Sequence, residues 1–477
     1  MMMQINKIIK IQKSSLRALL CFSFLAFGFT VHAGNTIPSS VPLPLTGITS
    51  ESFLRGILGM AGLLLIGWLM SRDRRSIDWK VVIGALAVQM LLAVSVMYIP
   101  GIQQLFGFLG KCFVKILDFT RAGSIFLFGG LVDMQKAGHI FVFQVLPAII
   151  FFAALTHLLY YLNVIQWVVR WLGRGLHKIF RLSGAEGATV AGNIFLGMCE
   201  APLLVKGYLS GMNKAEIFLV MTSGMATIAG GVMTTYIGML GGSDPVSREL
   251  FAKYLITASV MAAPGAVAFA RMVVPQTELS VKDADVKRDS VGNGLLDALS
   301  NGTLQGVRLA VNVAALLLVF VACIALVNYL LGGILGRYTG LNEWLSGLSG
   351  HPVTFDFQYI AGWIFAPVAW LMGVCGADVP DVAALLGTKT ILNEFVAYAD
   401  FSMLKNAGAF VEEKSIVIVT FALCGFANIG SIGMQIGGIG ALAPSLRPLI
   451  ARYGFAAMVC GALTSCMSAT MIGLLLG

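Results

Sequence analysis

Charge is what this sequence has least of. Charged residues make up 12% of 477 positions against 57% hydrophobic, and mean hydropathy is +0.86. Water-soluble domains carry about a quarter charged residues, so that class is excluded and a helical integral membrane protein is left. Enzyme signatures are missing as well: there is no HExxH, GxSxG, GxGxxG or Walker P-loop, so the chemistries those patterns support have no foothold here. No CxxC occurs among the eight cysteines, which lie scattered in apolar sequence. They read as small buried apolar residues, not disulfides or metal ligands. The net charge of +9 gathers into no single basic patch, which argues against a nucleic-acid surface.

The start of the chain lacks acids altogether. Lys7, Lys10, Lys13 and Arg17 precede the apolar run 18–29, no acidic residue occurs before Gly34, and Val31-His32-Ala33 sets small residues at −3 and −1. This is a signal-peptide pattern over 1–33, with an uncleaved anchor or a misassigned start as the alternatives. Residues 34–52 read as a periplasmic Pro/Ser/Thr linker. Apolar segments then alternate with basic ones. Crossings are expected at 53–70, 81–99, 139–164, 214–240, 250–273, 304–335, 414–439 and 455–476. An amphipathic interfacial helix is expected at 101–137 and a short interfacial one at 342–349. The basic stretches 71–80, 170–181 and 446–452 and the polar linker 275–301 all fall on one side, which predicts about eight spans with both ends periplasmic.

Two stretches break the apolar pattern. Residues 192–204, GNIFLGMCEAPLL, hold Glu200 between Asn193 and Pro202; residues 388–398, TKTILNEFVAY, hold Glu394. A carboxylate at bilayer depth costs at least ~3 kcal/mol, so it faces a cavity, a partner or a ligand. Broken backbone there is tolerated only inside protein or along a water-filled site. Both stretches read as re-entrant hairpins, the first over 184–205 and the second over 359–374 with 382–404. Each is followed by a helix with a Gly-rich polar centre, MTSGMATIAGG around Thr227 and CGFANIGSIG around Asn428, and then by a closing helix. The first hairpin should enter from the cytoplasm and the second from the periplasm, an inverted repeat with a site between the halves, as in secondary transporters. The competing reading is that these small residues serve helix packing alone.

The residue types suggest a ligand class. Two carboxylates repel anions and accept hydrogen bonds, favouring a neutral or cationic substrate rich in donors, unless each pairs with a cation such as Lys389 beside Glu394. Asn428 and Ser431 lie one turn apart, and Phe426 could stack on a planar ring or simply be core. Asn193, Thr227 and free carbonyls form the oxygen-only set that suits a hard cation. His139 and His157 sit in apolar sequence and read as packed or interfacial.

In EAPLL (200–204), ATIAGGV (226–232), NEFVAY (393–398) and CGFAN (424–428) the chain resembles the concentrative nucleoside transporters, a likeness that covers most of it from about residue 53. The resemblance implies an all-α homotrimer with eight core membrane helices, two re-entrant hairpins, interfacial helices, and a transport domain that moves against a trimeric scaffold. It divides the chain into scaffold helices (53–164), a first repeat (165–273), a polar linker (274–303), a further scaffold and interfacial segment (304–358) and a second repeat (359–477). It implies import of nucleosides across the bacterial inner membrane, driven by Na+ or H+, with no other cofactor and no enzymatic step. It assigns ribose hydroxyls to Glu394, Asn428 and Ser431, the pocket lining to Phe426 and Val232, the nucleobase side to Glu200, and Na+ to the side chains of Asn193 and Thr227 with the carbonyls of Leu196 and Ile228. Thr227 replaces a Ser common in the family and keeps the hydroxyl. One departure stands out: the Gln and Thr or Ser that usually address the base are Met198 and Cys199 here, which removes strong hydrogen-bonding groups. A symporter for another ribosyl or polyol compound and a channel or receptor-like protein are the competing functions; an intramembrane enzyme would need a nucleophile–base pair.

Overall fold

The computed structural model describes residues 45, 47–132, 140–242, 244–278, 294–349 and 353–477. The expected signal peptide, most of the 34–52 linker, residues 133–137, His139 and most of the polar linker lie outside the described residues. Among the described residues the chain is helical, with no strand.

The few polar residues of this apolar chain sit largely where helices begin, because the first four N–H groups of a helix have no intrahelical acceptor. Helix α1 (Ser50–Met70) opens with a Thr49–Ser52 capping box, and α2 (Trp79–Tyr98) with Asp78. The long α3 (Pro100–Phe128) lies where the amphipathic helix is expected, and α4 (Leu146–Tyr161) follows a single turn at Phe141–Gln144. The basic stretch 170–181 forms the end of α5 (Val164–Phe180).

The first hairpin begins at a Ser183–Glu186 capping box with α6 (Gly184–Asn193) and returns through a tight turn at Ala201–Val205. The helix expected at 214–240 is two pieces, α7 (Lys214–Ala226) and α8 (Gly230–Gly241), and α9 (Pro245–Val273) closes the unit. Asp244 caps α9, and the Ser247 hydroxyl bonded to it holds its carboxyl below the usual carboxylate range.

The order then recurs. Helix α10 (Leu295–Asn328) continues through a wider-pitched stretch at Tyr329–Gly336 and is followed by α11 (Leu341–Ser349) and α12 (Phe357–Leu371). Next come α13 (Val379–Ile391), α14 (Glu394–Asn406), α15 (Glu413–Leu423), α16 (Ile429–Leu442) and α17 (Arg447–Leu476). Contacts recur with the order: α5 packs on α6 as α12 packs on α13, α7 on α9 as α15 on α17, and α4 lies against α10.

Two expectations need adjustment. The second hairpin is α13 with α14, not 359–374 with 382–404; α12 is a separate helix alongside α13, the counterpart of α5. Two prolines misled the reading: Pro367 is tolerated inside α12, whereas Pro380 starts α13 at its first turn, where its missing N–H is no loss. The closing helix starts at Arg447 rather than 455, so the basic stretch is its first turns.

Burial separates two layers. Among the described residues, seven helices are long and apolar enough to cross a membrane, with the broken α7–α8 pair counted as one. Within them 94% of the most apolar stretch is buried for α7–α8 and α9, but 12% for α10 and 22% for α1. The α7–α8 pair, α9 and α17 are therefore the core, while α1 and α10 present apolar surface outward.

Candidate functional site

Glu394 is the first residue of α14 and is 3% exposed. Asn393 puts it there by capping α14, its side chain accepting from Val396 N at 3.0 Å. Asn428 caps α16 in the same manner. Its Nδ2 donates to Glu394 Oε2 at 2.7 Å, while its Oδ1 accepts from Ser431 N (2.8 Å) and Ser431 Oγ (3.0 Å). Two helix N-termini, both favourable to negative charge, thus converge on one buried carboxylate. The structure brings Glu394, Asn428 and Ser431 into a single network of acceptors and donors suited to vicinal hydroxyls.

The first repeat supplies the neighbouring wall. Tyr236 of α8 stacks on Tyr398 (4.1 Å between centroids) and meets the edge of Phe395 (5.2 Å). Its hydroxyl is close enough to Glu394 to interact but makes no hydrogen bond of ordinary geometry. Lys389 does not pair with Glu394 among the described residues; its Nζ donates to Ala422 O at 2.8 Å.

The two helix breaks touch. Phe426 N donates to Thr227 O at 3.2 Å. Gly425 makes this possible with φ +143°, and a Cβ there would lie 2.8 Å from Ala226 O. Val232 is buried in the first turn of α8, just after the helix break at Thr227.

On the hairpin tip, Glu200 is half-buried and its Oε2 accepts weakly from Gly197 N at 3.4 Å. His157 of α4, hydrogen-bonded through Nδ1 to Ala153 O, and Cys199 are titratable neighbours within its electrostatic reach. Met198 is buried against α7, where a Cβ on Gly224 would stand 2.7 Å from its own Cβ. Cys199 lies along α16, with Sγ 3.6 Å from Met434 O and over Gly438. Gln435 of α16 lies one turn beyond Ser431 and reaches the same gap, donating to Met221 O at 2.9 Å.

The candidate cation ligands also gather. Asn193 ends α6 and is fully buried; Nδ2 donates to Ser223 Oγ at 2.9 Å, and Oδ1 has no hydrogen-bond partner. Such an orphaned buried acceptor is costly unless something occupies it. Thr227 ends α7, and its Oγ1 donates to Ser223 O at 2.9 Å, which leaves its lone pairs free. The carbonyls of Leu196 and Ile228 receive no hydrogen bond among the described residues. These oxygens are neutral and fit a hard monovalent cation. Tyr236, Ser223 and Gln435 are the neighbours that sequence reasoning missed. Ser223 was within reach, inside MTSGMATIAGG, but Tyr236 and Gln435 carry no local signal.

Three family models match the chain in order: the Na+ dependent nucleoside transporter N-terminus at residues 58–131, the nucleoside recognition (gate) model at 142–243, and the Na+ dependent nucleoside transporter C-terminus at 254–473. An uncharacterized transporter of Haemophilus influenzae is 40% identical over 431 residues, covering 89% of this chain and 98% of the relative. The nucleoside permease NupC of Helicobacter pylori is 36% identical over 433 residues, covering 89% and 98%. A solved structure of CNTnw in an inward-facing substrate-bound state superposes with a TM-score of 0.80 at 37% identity, covering 89% of this chain and 99% of that one. These relatives are transporters, not enzymes. A chain matched so nearly end to end, and built on two broken helices with a buried carboxylate between them, belongs to the concentrative, Na+-dependent nucleoside transporter family.

Proposed function

We propose that this protein is a secondary active symporter that imports nucleosides across the bacterial inner membrane on a Na+ gradient. The observation that carries the reading is the join between the two helix breaks: Phe426 N to Thr227 O links the Glu394–Asn428–Ser431 network to the break that holds the oxygens around Asn193. A cation bound at Asn193 and Thr227 fixes the break whose carbonyl anchors Phe426. The substrate site is then formed only when the ion is present, which is coupling in structural terms. Glu394, Asn428 and Ser431 hold the ribose hydroxyls; Phe426 and Val232 line the ring; Glu200 accepts an N–H from the base. Symporters of other ribosyl or polyol compounds would use the same ribose network, and uptake competition separates them.

The remaining architecture follows the same reading. The broken pair α15–α16 supplies an eighth crossing, and the hairpins enter from opposite sides. Helices in 53–164 and 304–358 form the scaffold, 165–273 and 359–477 the transport unit, and 274–303 a cytoplasmic linker. The outward apolar face of α10 is the surface a homotrimer would bury. Residues 1–33 are removed, which leaves the N-terminus periplasmic.

Thr227→Val keeps the side-chain volume but deletes an oxygen ligand. Uptake by this variant should need a several-fold higher Na+ concentration at unchanged maximal rate, measured as labelled uridine uptake against Na+. Uptake by the unmodified protein that follows a pH gradient and ignores Na+ would assign coupling to protons.

The base side should discriminate less sharply than one with Gln and Thr at positions 198 and 199, because Met198 and Cys199 add no strong hydrogen-bonding group that a mismatched base would leave unpaired. Loss of the 2′- or 3′-hydroxyl should weaken competition more than a change of base. Met198→Gln with Cys199→Thr should sharpen selectivity among uridine, cytidine, adenosine and inosine while the deoxy penalties stay constant. An unchanged ranking in that panel would remove Met198 and Cys199 from the base site.

A further inference from the structure

Both hairpins close on their broken helices in the same way but with different groups. In the first repeat, Asn193 at the end of α6 reaches the last turn of α7 through Ser223 and leaves Oδ1 unpartnered. In the second, Lys389 in the last turn of α13 reaches the last turn of α15, where Nζ donates to Ala422 O at 2.8 Å. Each of these half-helices ends there, so its final carbonyls lack intrahelical donors and carry the negative end of the helix dipole. A cation is favoured at both ends.

Lys389 is 2% exposed and makes no salt bridge among the described residues. The titratable groups within its electrostatic reach are Cys466, Cys424 and Glu394. A buried lysine is expensive in a membrane protein and is kept where it has a task. Packing alone would be met by methionine, which has nearly the same length.

We propose that the Lys389 ammonium is a built-in cation, filling in the second repeat the position that a mobile coupling ion takes in the first. The comparison with the first repeat rests on the Na+ reading above; the claim about Lys389 rests on its own contact with the end of α15. One hairpin is then closed permanently by a tethered charge, and only the other waits for an ion. A single Na+ per nucleoside follows.

The test uses the purified full-length chain. Uridine binding is measured by calorimetry, and thermal melting is followed, for the unmodified protein, Lys389→Ala, Lys389→Met and Lys389→Arg. Each is measured with added ethylammonium chloride or with choline chloride as the ionic control. Lys389→Ala should lose about tenfold or more in uridine affinity, the effect of removing a charged hydrogen bond. Ethylammonium, small enough for the vacancy, should restore binding and raise the melting temperature of this variant alone. Lys389→Met should be impaired without rescue, and Lys389→Arg should retain part of the affinity. Alanine and methionine variants that bind uridine like the unmodified protein, or an alanine variant whose binding and melting ignore ethylammonium, would overturn the proposal. If the alanine variant is not recovered folded, dual-label flux of Na+ and uridine through the unmodified protein decides, one ion supporting the proposal and two overturning it. Uridine binding indifferent to Na+ would instead strike the first-repeat reading, and the ethylammonium result would still judge Lys389.

Discussion

Glu394→Gln should abolish or cripple nucleoside transport while the protein still folds and melts as a single species. The substitution is isosteric, so the cap from Asn393 and the start of α14 survive. What disappears is a charged acceptor for Asn428 Nδ2 (2.7 Å) and, in the proposed function, for the substrate hydroxyls. Hydrogen bonds to charged groups contribute about 1.5–3 kcal/mol each, so uridine affinity should fall roughly ten- to hundredfold for the loss of one. A glutamine amide can also turn an N–H toward a hydroxyl or toward Asn428 Nδ2, adding donor–donor conflict. Calorimetry on the purified variant beside uptake in proteoliposomes measures both. Near-normal binding and uptake would remove Glu394 from the substrate site.

The second large effect concerns stability. Glu186 is fully buried at the start of the first hairpin; Oε1 takes a 2.5 Å bond from Arg271 Nη2 at the end of α9, and Oε2 takes one of 2.8 Å from Ser183 N. Arg271 Nη1 continues to Gln276 Oε1 at 2.9 Å. Removing one partner of such a pair strands a buried charge and costs about 3–5 kcal/mol, whereas neutralising both leaves no charge behind. Arg271→Met alone should therefore lower the melting temperature sharply and reduce yield. Glu186→Gln with Arg271→Met should recover much of the loss, since Gln keeps an oxygen for Ser183 N. Melting curves of the two single variants and the double variant read this directly; a double variant no better than Arg271→Met would mean that the pair is not the source.

The breaks of the fold were legible in the sequence for a definite reason. Gly, Thr, Asn and Pro are out of place in apolar helices, and the helices do end at Ala226 and Leu423 and restart at Gly230 and Ile429. Glu200 and Glu394 stood out equally, because a carboxylate in such a context demands a partner. Partners across the fold were not legible. Helix α17 is apolar and buried on nearly every side over its last turns, so no amphipathic stripe indicates which neighbour a residue meets. The same limit hid the stacking of Tyr236 on Tyr398, the reach of Gln435 toward Met198, and the true first arm of the second hairpin. Arg271 and Glu186 are 85 residues apart in the chain, and only the closure of the first repeat brings them together.

The central claim is Na+-driven accumulation of a nucleoside through this site. The most direct measurement is uptake of labelled uridine and adenosine by proteoliposomes holding the purified protein, under an inward Na+ gradient, an inward proton gradient, or neither. At least one nucleoside should rise above its external concentration only under the Na+ gradient, and dissipating that gradient should release it. Equilibration without accumulation, or no uptake of any nucleoside under any gradient, would contradict it.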